Sequence, residues 1–119
     1  MTEQKQLLNY IIEGIQERKG KKITLVDLSA IEYATTQNFI ICQGTSTMHV
    51  SSIADSIREY VQQHTDIKPY NYDGYNNSQW IVLDYGTIYV HIFLPEYREL
   101  YNLEQLWSDA PTTEVPDLE

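Results

Sequence analysis

Two alternating runs of apolar and polar residues, joined by a short turn, predict a β-hairpin over residues 79–94. A turn at Tyr85-Gly86 pairs Leu83 with Ile88 and Ile81 with Val90, so one face is entirely aliphatic and belongs in the core. The other face mixes large aromatic and polar residues. It pairs Trp80 with His91, Val82 with Tyr89 and Asp84 with Thr87, with Phe93 beyond. Such a face either packs under another element or contacts a partner.

Helical spacing of apolar residues predicts three helices, over residues 3–19, from the hydroxyl residues at 45–47 to His64, and over residues 96–107. Further strands are predicted at 23–28, 38–43 and 68–72. The resulting order, α, β, β, α, β, β, β, α, indicates an α/β fold in which helices pack on a mixed five-stranded sheet. One domain over residues 1–107 is expected. Residues 108–119 carry two prolines and four acids and are predicted to be a disordered tail.

Composition narrows the possible partners. The net charge of −9, from 8 basic and 17 acidic residues, disfavours non-specific binding to nucleic acid, including direct DNA binding. It suits a basic protein partner, although acidity also serves simply to keep a chain soluble. The single cysteine, Cys42, fits a core position and a reducing compartment, so we expect a cytoplasmic protein. No apolar run approaches the roughly 18 residues of a membrane span.

The sequence offers little for catalysis. Its three histidines lie in different predicted elements, no GxSxG motif is present, and neither a metal nor another cofactor is predicted. The turn at residues 44–46, between a strand and a helix, resembles a phosphate cradle of nucleotidyltransferases. The paired carboxylates that would hold magnesium on a neighbouring strand are missing. A nucleotidyltransferase-like enzyme is therefore the rival hypothesis, and a non-enzymatic protein is favoured.

Several short motifs, in order and correctly spaced, resemble the ribosomal silencing factors, also called the Iojap family. The resemblance covers residues 3 to about 110. It departs from the family at Gln37-Asn38 and at Thr87. The matching segments are FIICQGTSTMHVSSIAD at Phe39–Asp55, Asp73-Gly74, Trp80, LDYG at Leu83–Gly86, HIF at His91–Phe93, Arg98, and LYNLEQLWSDA at Leu100–Ala110.

The resemblance implies a fold related to nucleotidyltransferases but without catalysis. It also implies a factor that binds the large ribosomal subunit through its L-fourteen protein, blocks joining of the small subunit and represses translation when nutrients are short. Homodimers are expected off the ribosome. A large-subunit assembly factor that uses the same contact is the alternative. The predicted contact residues are Trp80, Asp84, Tyr85, His91, Arg98, Tyr101, Leu103, Leu106 and Trp107.

Overall fold

The computed structural model describes residues 2–118, which form a mixed sheet of six strands in the order β3-β4-β5-β2-β1-β6. The central pair, β2 and β5, is parallel, and the other neighbours are antiparallel. The elements are α1 Thr2–Glu17, β1 Lys21–Asp27, β2 Asn38–Gln43, α2 Thr47–Thr65, β3 Asn71–Asp73, β4 Trp80–Asp84, β5 Ile88–Phe93, α3 Pro95–Tyr101, α4 Leu103–Leu106 and β6 Thr112–Val115. The predicted α/β class with one mixed sheet is confirmed.

Helices α1 and α2 cover the first face of the sheet and enclose the larger core. They cross closely at Gly14, where a Cβ atom would lie 2.9 Å from the Cα atom of Ile57. The buried Ser56 hydroxyl donates to the Gly14 carbonyl at 2.7 Å, which satisfies this polar group at the crossing. Cys42 is fully buried in the same core, as predicted, and burial raises the pKa of its thiol to about 12.

The hairpin of β4 and β5 has the predicted faces but not the predicted register. The Tyr85 amide donates to the Ile88 carbonyl at 2.9 Å, so the turn centres on Gly86-Thr87, one residue later than predicted. Leu83 therefore pairs with Val90 rather than Ile88. The slip amounts to two residues in the partner strand. Because side chains alternate with a period of two, an even slip leaves every residue on its predicted face.

The last predicted helix, over residues 96–107, is two short helices in the structure. Asn102 separates α3 from α4 because it adopts the left-handed conformation, with φ 46° and ψ 56°. Its amide closes α3 by donating to the Arg98 carbonyl at 2.9 Å. Together with the loop after β1, these helices cover part of the second face of the sheet and form a smaller core there.

The sheet has six strands rather than the predicted five, because Thr112–Val115 pairs with the outer edge of β1. This strand lies in the segment that was predicted to be a disordered tail. Its side chains are exposed except for the partly buried Val115, so no buried face marks it in the sequence. Backbone pairing holds it, together with Asp117, whose carboxylate accepts from the Lys22 amide at 2.8 Å. The third strand also begins later than predicted, at Asn71.

Candidate protein-binding site

Six rings form a row across the second face of the sheet, and we call them the aromatic row. Successive ring centroids lie 4.6, 5.9, 4.7, 5.9 and 5.7 Å apart. The rings come from α3, β4, β5, β2, the residue after α4, and the loop after β1. In order along the row they are Tyr101, Trp80, His91, Phe39, Trp107 and Tyr33.

The middle of the aromatic row is buried and its ends are open. His91 is only 5% exposed, whereas Tyr101 is 50% and Tyr33 75% exposed. Leu106, the neighbour of Trp107 in the chain, is 71% exposed. Trp80 and Trp107 are half-buried between the middle and the ends. A rigid aromatic base with exposed amphipathic rings is the arrangement found at the energetic centres of protein interfaces.

A hydrogen bond links Trp80 and His91, which are neighbours in the aromatic row. The Trp80 indole Nε1 donates to His91 Nδ1 at 3.1 Å. Because Nδ1 accepts, the proton of the neutral imidazole belongs on Nε2. This Nε2 is buried and has no hydrogen-bond partner among residues 2–118. Burial among apolar rings lowers the pKa of His91 to about 4, so the imidazole is neutral at physiological pH.

Arg98 is used inside the molecule rather than presented to a partner. Its side chain is 11% exposed and forms an ion pair with Glu104, with Nη2 and Oε2 3.0 Å apart. The guanidinium also donates to the Lys22 carbonyl at 2.6 Å and to side-chain oxygens of Thr24 and Gln43. It therefore fastens α3 and α4 to β1 and β2, and the predicted direct contact through Arg98 does not match its placement.

Three other predicted contact residues also make their contacts inside the protein. Tyr85 lies on the same side as Ile81 and Leu83 because of strand alternation, is buried under the helices, and has a pKa raised by that burial. Asp84 closes the hairpin turn, accepting from the Gly86 amide at 2.7 Å. Leu103 packs against the smaller core.

Of the predicted residues, Trp80, Tyr101 and Trp107 thus lie in the aromatic row with their rings at least partly accessible, and Leu106 is exposed next to Trp107 in the chain. His91 belongs to their network but is buried. Sequence reasoning missed Tyr33 and Phe39 as members of the row. Alternation along β2 could have placed Phe39 on this face had the strand order been known. Tyr33 lies in a loop without periodicity, and no signal in the sequence pointed to it.

The turn that resembled a phosphate cradle is filled by its own side chains. The Thr45 amide donates to His49 Nδ1 at 2.9 Å, and the His49 amide donates to the Ser46 hydroxyl at 3.0 Å. The Gly44 amide donates to the Phe93 carbonyl at 3.0 Å. A Cβ atom on Gly44 would lie 3.0 Å from the Val50 amide nitrogen, so this glycine permits close packing of the helix start. Three amides of this turn, those of residues 44, 45 and 49, therefore already have acceptors within the protein.

Within residues 2–118, no three His, Cys, Asp or Glu side chains come together in a way that could hold a metal ion. Across the same described residues, none of the helices has both the length and the apolar character needed to cross a bilayer.

Comparisons with known proteins agree on one family. A family model described as ribosomal silencing factor during starvation matches residues 1–119. A ribosomal silencing factor of Halalkalibacterium halodurans is 32% identical over 110 residues, which are 92% of each chain. The mouse protein named mitochondrial assembly of ribosomal large subunit protein 1 is 27% identical over 103 residues, covering 85% of this chain and 45% of that protein.

A solved crystal structure has a similar fold. The crystal structure of a protein from Chromobacterium violaceum matches with a TM-score of 0.82 at 27% identity, covering 87% of this chain and 85% of that chain. Sequence and fold therefore lead to the same group of proteins.

Proposed function

Because the chain belongs to the ribosomal silencing factor family, we propose that it binds the large ribosomal subunit through the subunit's L-fourteen protein and sterically blocks joining of the small subunit. Binding of this kind represses translation, and the starvation named in the family description fits nutrient limitation as the setting. A protein that blocks joining sterically must bind tightly and occupy the interface between the subunits, and it needs neither a nucleophile nor a cofactor.

The aromatic row is the observation that carries this proposal. Its exposed members, together with Leu106, are apolar anchors that a partner would desolvate on binding, and the rings carry polar groups at their edges. The sheet and Arg98 hold the elements beneath them in place. The proposed contact residues are accordingly Trp80, Tyr101, Leu106, Trp107 and Tyr33. His91, Arg98 and Leu103 support them from below.

Charge supports a protein partner over bare ribosomal RNA. The net charge of −9 repels a phosphate backbone and attracts a basic ribosomal protein. We propose that the factor acts in the cytoplasm, where it would meet the ribosomes. Away from the ribosome, two copies covering their exposed aromatic surfaces would form a homodimer. The proposal includes no catalysis, and it retains the relation of the fold to nucleotidyltransferases.

An assembly role is the second candidate, and the mouse relative favours it. The name of that mouse protein describes assembly of the mitochondrial large subunit. The same contact on the large subunit would serve maturation as well as silencing. The two functions differ in whether the bound factor keeps mature subunits apart.

Co-sedimentation with purified large subunits tests the proposal directly. We expect the protein to sediment with large subunits and to prevent their association when small subunits are added. Binding without any effect on joining would favour the assembly role. Absence of binding at moderate salt would contradict both candidates.

Replacing Trp80 with alanine should weaken binding to the large subunit by about 2 kcal/mol or more, as loss of an interface anchor does. Leu106→Ala should weaken binding as well, and because Leu106 is exposed its loss leaves the fold unchanged. Dissociation constants from co-sedimentation titrations measure both effects, with circular dichroism as the check on folding.

Tyr70→Ala is the matched control. Tyr70 is an exposed aromatic residue next to β3, away from the aromatic row. Its loss should leave binding unchanged. Normal binding by folded Trp80→Ala and Leu106→Ala proteins would remove this surface from the contact.

Nucleotide with magnesium should not raise the melting temperature of this protein, because the amides at residues 44, 45 and 49 are already bonded. A ligand at a hundredfold excess over its Kd would stabilise the folded state by about 2.7 kcal/mol. Differential scanning fluorimetry at millimolar ATP or GTP makes the comparison. A shift of several degrees would revive the enzyme hypothesis.

A further inference from the structure

We propose that His91 is a positioning residue, which fixes the indole of Trp80 in the orientation that the partner recognises. This inference rests on the proposed function, because it assigns a role within the same contact surface. It reassigns His91 from the predicted direct contact, for which the residue is too deeply buried.

Stacking alone does not fix the orientation of Trp80. Its ring lies 5.0 Å from the Phe93 ring at an interplanar angle of 20°, and 4.6 Å from the Tyr101 ring at 40°. Such contacts define the plane of the indole but allow it to slide and turn within that plane. The indole has a single hydrogen-bond donor, Nε1, and its bond to His91 Nδ1 is directional. This bond selects one in-plane orientation.

His91 is itself held rigidly enough to serve as a reference point. The Phe39 ring meets it edge-on at 4.7 Å, with an interplanar angle of 69°. Its strand neighbours are Ile41 in β2 and Val82 in β4. The rings packed against it, from Phe39, Trp80 and Phe93, carry no ionisable group.

The unpaired Nε2 argues that His91 is not present for stability. A buried N–H without an acceptor destabilises the folded state, and an apolar ring of similar size would avoid that cost. What a histidine supplies here and a phenylalanine does not is the acceptor at Nδ1. A residue that is suboptimal for packing but suited to holding Trp80 fits a role in recognition.

Two substitutions separate the acceptor from the ring. His91→Phe keeps an aromatic ring and removes the acceptor, whereas the side-chain oxygen of His91→Asn can replace Nδ1. The first readout is the indole N–H resonance of Trp80 in nuclear magnetic resonance spectra, with Trp107→Phe used for assignment. The second is affinity for purified large subunits. His64→Phe, a change at an exposed histidine on α2, is the control.

We expect His91→Phe to shift the Trp80 indole resonance, speed its exchange with solvent and weaken binding fivefold or more, without lowering the melting temperature. His91→Asn should retain the resonance and bind within twofold of the original protein. In a Trp80→Phe background, where the donor is gone, His91→Phe should have no further effect on affinity. This last comparison uses relative affinities, so it also holds if one variant is somewhat less stable.

Unchanged binding by His91→Phe, or an equal loss for the Phe and Asn variants, would overturn the proposal. So would an undiminished effect of His91→Phe in the Trp80→Phe background. If the unsubstituted protein fails to bind large subunits, the proposed function is what fails. The indole resonance would then still report whether His91 orients Trp80.

Discussion

Replacing Arg98 with alanine is expected to lower the free energy of unfolding by about 3 kcal/mol, as breaking a largely buried ion pair does. The substitution removes every hydrogen bond that the guanidinium makes to Lys22, Thr24, Gln43 and Glu104. Because these bonds hold α3 and α4 against β1 and β2, Tyr101 and Leu106 should lose their fixed positions. Binding to the large subunit should therefore fall together with stability.

Arg98→Lys and Glu99→Ala complete this experiment. Lysine keeps the charge but lacks the planar fork, so it should recover only part of the lost stability. Glu99 is exposed on the same helix, and its replacement should have little effect. Urea unfolding curves provide the comparison. If Arg98→Ala were as stable as Glu99→Ala, the network would be incidental to the fold.

Lowering the pH from about 6.5 to about 4 is expected to remove about 3 kcal/mol of stability through His91 alone. The pKa of His91 is about 4 in the folded protein and 6.5 when unperturbed. Between these values the unfolded chain binds a proton that the folded chain does not. The contribution of His91 to the free energy of unfolding is therefore fully present above pH 6.5 and is lost as the pH falls from 6.5 to about 4. Below about pH 4, titration of His91 has little further effect on stability.

The His91→Phe protein isolates this effect from the titration of the 17 acidic residues. Urea unfolding of both proteins at pH 7, 5.5 and 4 gives two profiles, and their difference is the contribution of His91. The two curves should diverge as the pH falls, with the original protein losing more. Parallel profiles would mean that His91 is hydrated more than its burial indicates.

The hairpin shows what alternation can and cannot predict. A period of two assigned each side chain of β4 and β5 to the correct face, because that assignment depends only on even or odd position. The register depends on where the turn closes. The turn centres on Gly86-Thr87, one residue later than predicted, and this shift changes every cross-strand pair. Helix α2 was predicted more closely, since Ser46 caps it with its own side chain and apolar residues mark its buried face.

Long-range organisation could not be predicted in the same way. Arg98 looks like an exposed charge in the sequence because its partners Lys22 and Thr24 lie 76 and 74 residues away. Phe39 joins the aromatic row because β2 lies beside β5 in the sheet, and Tyr33 joins it from the loop after β1 by stacking on Trp107. β6 escaped prediction because it buries almost nothing, and its pairing depends on an edge that the sequence does not reveal.

The position of β6 in the chain has a consequence for synthesis. It follows all the other strands, yet it covers the outer edge of β1, which lies near the start. While the nascent chain emerges, that edge presents unpaired backbone groups, a template on which two growing copies can pair and aggregate. A shortened chain that stops at residue 107 would keep this edge open permanently. The segment that buries least thus covers the backbone edge of β1.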